Sequence, residues 1–259
     1  MLTAATAYQN VSRNLTRALD GVVRSPAVAR ETNYYLAHIG KVKSIDDFVS
    51  NKRVLRYALD AFGLSDIAYA GGLVRRLLEG GVDKSDALAN KLVDQKYRDF
   101  VSAFNFVRFG AATTSFDRTQ KGTADRYAHN VLEENTGNLN EGARLALYFK
   151  RQSPGVSSAL GLLADKALLK VTQTALGLPA AMSNLSLESQ EKLIAAKLDV
   201  ADLKDEAKLN KFLKNFVARW DANNPAAGNL SAVALDLSTS SVTIGADLLA
   251  AIQSIKRST

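Results

Sequence analysis

The sequence predicts an all-α fold, and three observations carry the prediction. Ala and Leu are abundant and only four prolines occur in 259 residues, a balance that favours helix over sheet. Apolar residues recur every three or four positions along most of the chain. Helix-start residues and helix-end glycines punctuate these runs. The clearest run is written twice: residues 51–64 return as residues 165–178, an offset of 114. Asn51 and Asp165 can accept a first-turn N–H through their side-chain oxygens. Gly63 and Gly177 stand where a helix can end in the left-handed conformation without steric cost.

The remaining elements follow in order. Residues 3–19 carry Tyr8, Val11, Leu15, Ala18 and Leu19 at helical spacing and predict one amphipathic helix. Ser25 and Pro26 open the next, as N-cap and first-turn proline, and it runs to Ile39 and stops at Gly40. Ser44 and Asp47 form a capping-box pattern with Asp in place of Glu. Residues 65–79 carry the stripe Ile67, Ala70, Leu73, Val74, Leu77 and Leu78, closed by Gly80 and Gly81. Asp86 caps a short turn through Leu92. Residues 94–108 predict one longer helix with Tyr97, Phe100, Val101, Phe104 and Val107 on a core face. Residues 110–122 are small and polar and predict a loop.

Residues 123–135 are helical again, with a break over 137–142 and a further helix over 143–152. Ser153, Pro154 and Gly155 make a turn. Ser158 caps a short helix. Helices then cover 165–176, 186–197 and 205–220, with a connection at 199–203. Asn223, Asn224 and Pro225 begin a linker to Gly228. Residues 230–244 alternate weakly and carry Ser and Thr, which predicts a short extended segment before the C-terminal helix. Residues 246–256 form that helix. Its apolar face, Leu248, Leu249, Ile252 and Ile255, with Lys256 and Arg257 at its end, is a candidate partner surface that docks on its own domain or on a neighbour's.

Aligned without gaps at the 114 offset, residues 28–64 and 142–178 share ten identities in 37 positions: Ala29, Arg30, Tyr34, Val42, Ser44, Lys52, Leu55, Ala61, Gly63 and Leu64 with their partners. Composition alone would give roughly two or three. The expected organisation is one helical domain over residues 1–259 with an internal duplication. Repeat one covers about 28–106 and repeat two about 142–221, each buried on the other, with a linker and terminal helix over 222–259.

Little in this sequence points to catalysis. There is no cysteine, which removes disulfides, thiolate metal sites and a cysteine nucleophile. His38 and His129 lack ligand partners at metal-site spacing, although Glu133 lies one turn from His129. No phosphate-loop or dinucleotide fingerprint occurs, and the glycines around Ser157 and Ser158 lack nucleophile-elbow spacing. Asp199, Asp202 and Asp205 read as caps and solvated surface. No cofactor or metal is expected. Arg30 with Tyr34, repeated as Arg144 with Tyr148, forms a repeat-related pair one helical turn apart. The expectation is that each arginine stacks on its ring and meets a carboxylate across the repeat interface, Asp99 or Asp117 for Arg30. A paired site for an acidic partner is the alternative.

The net charge is +7, but the basic residues are dispersed among acids, so a nucleic-acid partner is a minor alternative. Residues 1–21 lack an uninterrupted apolar core and a cleavage-type ending, so no cleavable signal peptide is expected. No window approaches the length of a membrane span.

Residues 51–64, 97–106, 144–149, 165–166, 175–178 and 248–255 together resemble a domain-of-unknown-function family of alphaproteobacteria. The resemblance covers most of the chain, about residues 29–255. Members of that family are often encoded beside flagellar basal-body and motor genes, so the resemblance implies a flagellum-related role, in the bacterial cytoplasm or at the flagellum. It supplies no catalytic or binding residue. The expected function is a non-enzymatic structural or assembly protein with a protein partner. A basic helical nucleic-acid regulator and an enzyme with a pocket between the repeats are the alternatives.

Overall fold

The computed structural model describes residues 2–225. Among the described residues the regular structure is α-helix and short 3-10 turns, with no strand. The candidate surface formed by Leu248, Leu249, Ile252, Ile255, Lys256 and Arg257 lies outside the described residues, as does the expected extended segment 230–244.

Side-chain caps explain where most helices begin. The chain starts with α1 (Ala4–Ser12) and α2 (Leu15–Arg24), not the single helix expected over 3–19. Asn14 accepts a hydrogen bond from Arg17 N at 3.1 Å and restarts the helix. The break lets the two pieces pack in different places. Ala4, Ala7 and Tyr8 join one core, and Val22 joins another. Next come α3 (Pro26–Ile39), α4 (Ile45–Ser50) and α5 (Lys52–Ala61). The capping box of Ser44 and Asp47 is present. Asn51 caps α5 through Val54 N at 3.2 Å.

The run 65–79 divides into a 3-10 turn, Ser65–Ile67, and α6 (Gly71–Gly80). Its Gly71 and Gly72 sit at the helix start, where poor helix propensity costs least. After α7 (Leu88–Lys91), the run 94–108 also divides, into α8 (Gln95–Ala103) and α9 (Phe106–Phe109). Asn105 caps the second piece through Arg108 N at 3.1 Å. Phe100 and Phe104 stay in the core, while Val107 is turned out to solvent.

The expected loop 110–122 instead holds two 3-10 turns, Gly110–Ser115 and Asp117–Thr119, whose threonines point inward while their other residues are exposed. Thr113, Thr114 and Thr119 are fully buried there. Small polar residues can be buried when each hydroxyl finds a carbonyl. Thr114 donates to Val42 O at 2.7 Å, Thr119 to Thr113 O at 3.0 Å, and Thr113 to Gly110 O at 2.8 Å.

The second half contains α10 (Lys121–Leu139), α11 (Glu141–Gln152), α12 (Ala159–Ala164), α13 (Lys166–Leu176), α14 (Leu187–Ala195) and α15 (Glu206–Asn223). α10 runs straight through Gly137. The break falls at Asn140, whose side chain accepts from Gly142 N at 2.8 Å and opens α11. Gly142 is required by packing, because a Cβ there would lie 2.4 Å from the Trp220 ring. Residues 44–67 and 158–184 run through the same order: capped short helix, capped longer helix, left-handed glycine, 3-10 turn. Gly63 has φ +68° and Gly177 +63°.

The hydrophobic interior is not shared as expected. One cluster holds Tyr35, Phe48, Leu55, Leu59, Leu77, Phe100 and Phe104 from α3–α9. Another holds Ala146, Phe149, Leu162, Val171, Leu213 and Phe216 from α11–α15, with α1 added. The two bundles meet through α10, which packs on α5 on one side and α11 on the other. A small third cluster, Val22, Val28, Ala128 and Leu132, fastens α2 and α3 to α10. α1 is tied to the second bundle by a cap from 217 residues away: the Asp221 carboxylate accepts from Ala4 N at 2.6 Å and Ala5 N at 3.0 Å. Among the described residues no helix is long and apolar enough to cross a membrane.

The Gly142–Trp220 contact makes a sharp prediction. Gly142→Ala should lower stability by about 1–3 kcal/mol, since a partly buried indole has little room to retreat. Gly21→Ala, where a Cβ meets nothing within 4 Å, should be neutral or stabilising by up to about 1 kcal/mol. Urea unfolding of both variants checks the contrast.

Candidate functional site

Where the two bundles approach, a cleft opens between the end of α5, the face of α8, and α10 and α11, and continues to the start of α13. Its geometry begins with unsatisfied backbone. The last turn of α5 leaves carbonyls without helical partners. Asn130 on α10 donates from Nδ2 to Asp60 O at 2.6 Å and to Ala61 O at 3.0 Å. The other end of that amide accepts from Arg151 Nη2 at 2.9 Å. Arg151, on α11, then grips Glu133 on α10 with both arms, at 2.6 and 2.9 Å. Glu133 is buried, and the Arg151 side chain is 17% exposed. Burial works against the Arg151 cation, and Glu133 outweighs it, so the guanidinium is held more firmly protonated than usual.

A second link crosses the cleft. Lys96 Nζ, from α8, lies 5.6 Å from the Tyr148 ring of α11. The Tyr148 hydroxyl donates to Asp165 Oδ2 at 2.5 Å. Asp165 meanwhile caps α13 through Ala167 N at 2.7 Å and Leu168 N at 3.0 Å. Burial and the Asp165 charge both raise the Tyr148 phenol, so it stays a donor at neutral pH. Arg126 lies over the Phe62 ring at 4.7 Å and has no carboxylate within 4 Å among the described residues.

The cleft's charge is balanced. Lys96, Arg126, Arg144 and Arg151 face Asp60, Asp99, Glu133 and Glu134. No surplus of positive charge singles out a phosphate backbone as its partner. Asp60 is the misfit. Burial raises its carboxyl, Arg56 at 3.9 Å opposes that in part, and Glu134 adds to it. Its Oδ1 is buried without a hydrogen bond. Asp99 shifts the same way for the same first cause, but much of its surface is accessible, so Asp60 is the sharper reporter.

The repeat-related pairs are used differently from expectation. Arg30 reaches only Glu31, at 3.6 Å, and its side chain is 71% exposed. Arg53 from α5 takes both Glu31 oxygens at 3.0 Å and lies 3.8 Å over the Tyr34 ring. The bidentate geometry across two helices displaces the neighbouring pair that spacing suggested. Arg144 is drawn back to Glu141, one turn earlier, at 2.7 Å. Tyr148 meets Lys96 and Arg151 in its place. Neither Asp99 nor Asp117 pairs with Arg30. Asn130, Glu133 and Arg151 carry no motif, and the sequence offered only the polar face of α10 as a hint.

Neither histidine lines this cleft. His38 Nδ1 lies 2.7 Å from Tyr34 O, and its ring stacks on Tyr34 at 4.0 Å. His129 borders an apolar slot with Leu15, Leu132 and Leu147. Burial, then the nearby Arg151, lowers its imidazole. The expected partner Glu133 belongs to Arg151. Asp199 and Asp205 cap helical turns, and Asp202 pairs with Lys208. Among the described residues no three His, Asp or Glu side chains gather as a metal site.

Arg151→Met leaves Glu133 buried and uncompensated and should cost about 3–5 kcal/mol, while Glu133→Leu combined with Arg151→Met should recover most of that. A double-mutant cycle by denaturant unfolding measures it. Asp60 titrates higher in the folded chain than in the unfolded one, so its ionisation opposes folding as pH rises through that window. Asp60→Asn should therefore raise the thermal midpoint at pH 7, and the gain should fade toward about pH 3, below the ordinary carboxylate range. An equal gain at both pH values would remove burial as the cause.

Residues 61–209 match the family described as Protein of unknown function (DUF1217). No curated protein matches the chain. An X-ray crystal structure of a protein from Agrobacterium tumefaciens is similar, with 38% sequence identity and a TM-score of 0.81, over 87% of this chain and 98% of that one. The matched stretch takes in Asn130, Glu133, Tyr148, Arg151 and Asp165, the residues that build the cleft. It spans more than half of the chain, which therefore belongs to the DUF1217 family of proteins of unknown function.

Proposed function

We propose that this protein is a non-enzymatic structural or assembly component associated with the bacterial flagellum, and that it works through helix-face contacts with a protein partner. The observation that carries the contact half of this reading is the segment from the 3-10 turn Ala180–Asn184 through α14. Within it only Met182 and Ile194 are buried, and α14 packs chiefly on α12. Leu185, Leu187 and Leu193 are 46%, 57% and 38% exposed. Fully burying an exposed leucine contributes about 1.5–3 kcal/mol, so these three, each about half exposed, together offer an apolar contact for a protein partner. Tyr69 and Val93 are exposed to a still greater degree on the first bundle.

The cleft supports the same reading. Its best-ordered charges are spent on each other, as Arg151 on Glu133 and Tyr148 on Asp165. A catalytic centre instead arranges nucleophile, base and orienting group around a reacting atom. The flagellar half of the proposal rests on the resemblance of residues 51–64, 97–106 and 144–149 to a family encoded beside flagellar genes. The Agrobacterium relative comes from an alphaproteobacterium, as that resemblance implies. The same reading treats the two halves as one duplicated unit, supported by their matching caps, glycines and element order.

A strain lacking the gene should swim poorly, and the tagged protein should co-purify with a flagellar component. Leu187→Glu with Leu193→Glu should fold normally and lose that partner. Normal swimming without any flagellar partner would overturn the proposal. Duplex DNA binding that falls steeply with salt would favour the nucleic-acid regulator.

A further inference from the structure

Away from the cleft, α1, α11 and α15 enclose a second pocket. Tyr8, Ser12, Arg13, Lys150, Asn210 and Lys214 line it. Three cations reach it from three elements: Arg13 from the C-cap of α1, Lys150 from the last turn of α11, and Lys214 from α15. One carboxylate opposes them. Glu206 lies 4.0 Å from Lys150 Nζ, and its side chain is 82% exposed. Neither Arg13 nor Lys214 has an ion-pair partner within 4 Å among the described residues. The pocket therefore carries a local excess of positive charge, in contrast to the balanced cleft.

The wall of the pocket supplies a second observation. Tyr8 is 5% exposed, and its buried hydroxyl has no hydrogen-bond partner among the described residues. Leaving a buried donor unpaired costs about 1–3 kcal/mol. Burial pushes this phenol up to about 12, and the Ser12 side chain, one turn on, offsets part of that. Tyr8 is thus a fixed O–H donor at neutral pH. Ser12 and Asn210 add short polar groups beside it. A planar carboxylate is satisfied by one arginine in bidentate contact. Cations arriving from three directions, with hydroxyl and amide donors between them, suit a tetrahedral dianion better.

We propose that the groove between α1, α11 and α15 binds a phosphate group carrying two negative charges, held by Arg13, Lys150 and Lys214 with Tyr8 as a neutral donor. The site sits on α1, so its occupation also pins the N-terminal helix to the second bundle. The phosphate can arrive free or as a lipid headgroup, and the experiment separates these sources. This inference is independent of the flagellar reading.

Calorimetry at fixed ionic strength with pyrophosphate, and flotation with vesicles containing phosphatidate, test it on the full chain. Saturable one-site binding is expected in at least one arm; the arm that responds identifies the source. Lys214→Gln and Arg13→Gln should each weaken it at least about tenfold, the loss of one charge-assisted hydrogen bond. Tyr8→Phe should weaken it without lowering the thermal midpoint, because the hydroxyl it removes is unpaired. Lys170→Gln, on α13 outside the groove, should bind as the native protein does. No saturable binding in either arm, or equal loss from Lys170→Gln and Lys214→Gln, would overturn the proposal.

Discussion

The arrangement of the two bundles depends on one polar tie, the clasp of Glu133 by Arg151 with Asn130 alongside. α10 carries few large apolar side chains and cannot be held by a broad hydrophobic face. Apart from Leu132 its buried residues are small or polar: Thr123, Ala128, Glu133 and Thr136. Apolar packing is non-directional and would tolerate sliding or rotation of such a helix. A two-armed salt bridge that also engages an amide, which in turn engages two carbonyls of α5, fixes rotation and register together. Each bundle supplies its own hydrophobic stability. The tie specifies how they sit, which is the best-attested use of a buried ion pair.

A second long-range device closes the molecule. α1 is first in the chain yet packs with α11 and α15 of the second bundle. Bringing such distant segments together costs loop entropy, but that cost grows only slowly with length. The Asp221 cap on Ala4 and Ala5 and the burial of Ala7 and Tyr8 offset it. The negative charge at the start of α1 also complements the helix dipole. The first 24 residues are therefore shared out: α1 completes the second bundle, and α2 fastens α10 to α3.

Local signals in the sequence were readable because each involves residues within one turn. Ser44, Asn51, Ser158, Asp165, Ser186 and Asp205 all cap as their chemistry implies, whereas Ser25 makes no cap hydrogen bond and α7 begins after Ala87 without a cap from Asp86. Gly63 and Gly177 take the left-handed conformation that favours glycine. What spacing could not reveal was competition. Asn14 and Asn105 interrupt apolar stripes that look continuous, because a cap is decided by backbone geometry as well as by periodicity. Gly137 looks like a breaker but stays helical, and its missing side chain makes room for α11, with Arg144 Cδ 2.7 Å from where a Cβ would stand. The threonine-rich run 110–122 reads as solvated. Its threonines are buried all the same, because carbonyls accept their hydroxyls, the distant Val42 O among them.

The same logic explains why positions 114 residues apart diverge in role. α10 packs against α5 in the first bundle but against α11 in the second, and these helices do not correspond under the offset: α5 aligns with α13, and α11 with α3. A bridging helix placed this way meets a different surface on each side. Tyr34, on α3, lies half-buried against the first core under Arg53, whereas Tyr148, on α11, is turned into the cleft toward Lys96 and Asp165. Features internal to a helix, its cap and its terminal glycine, are indifferent to what packs outside and so remain alike. Arginine–tyrosine pairs depend on the partner surface, and the asymmetric bridge gives each its own.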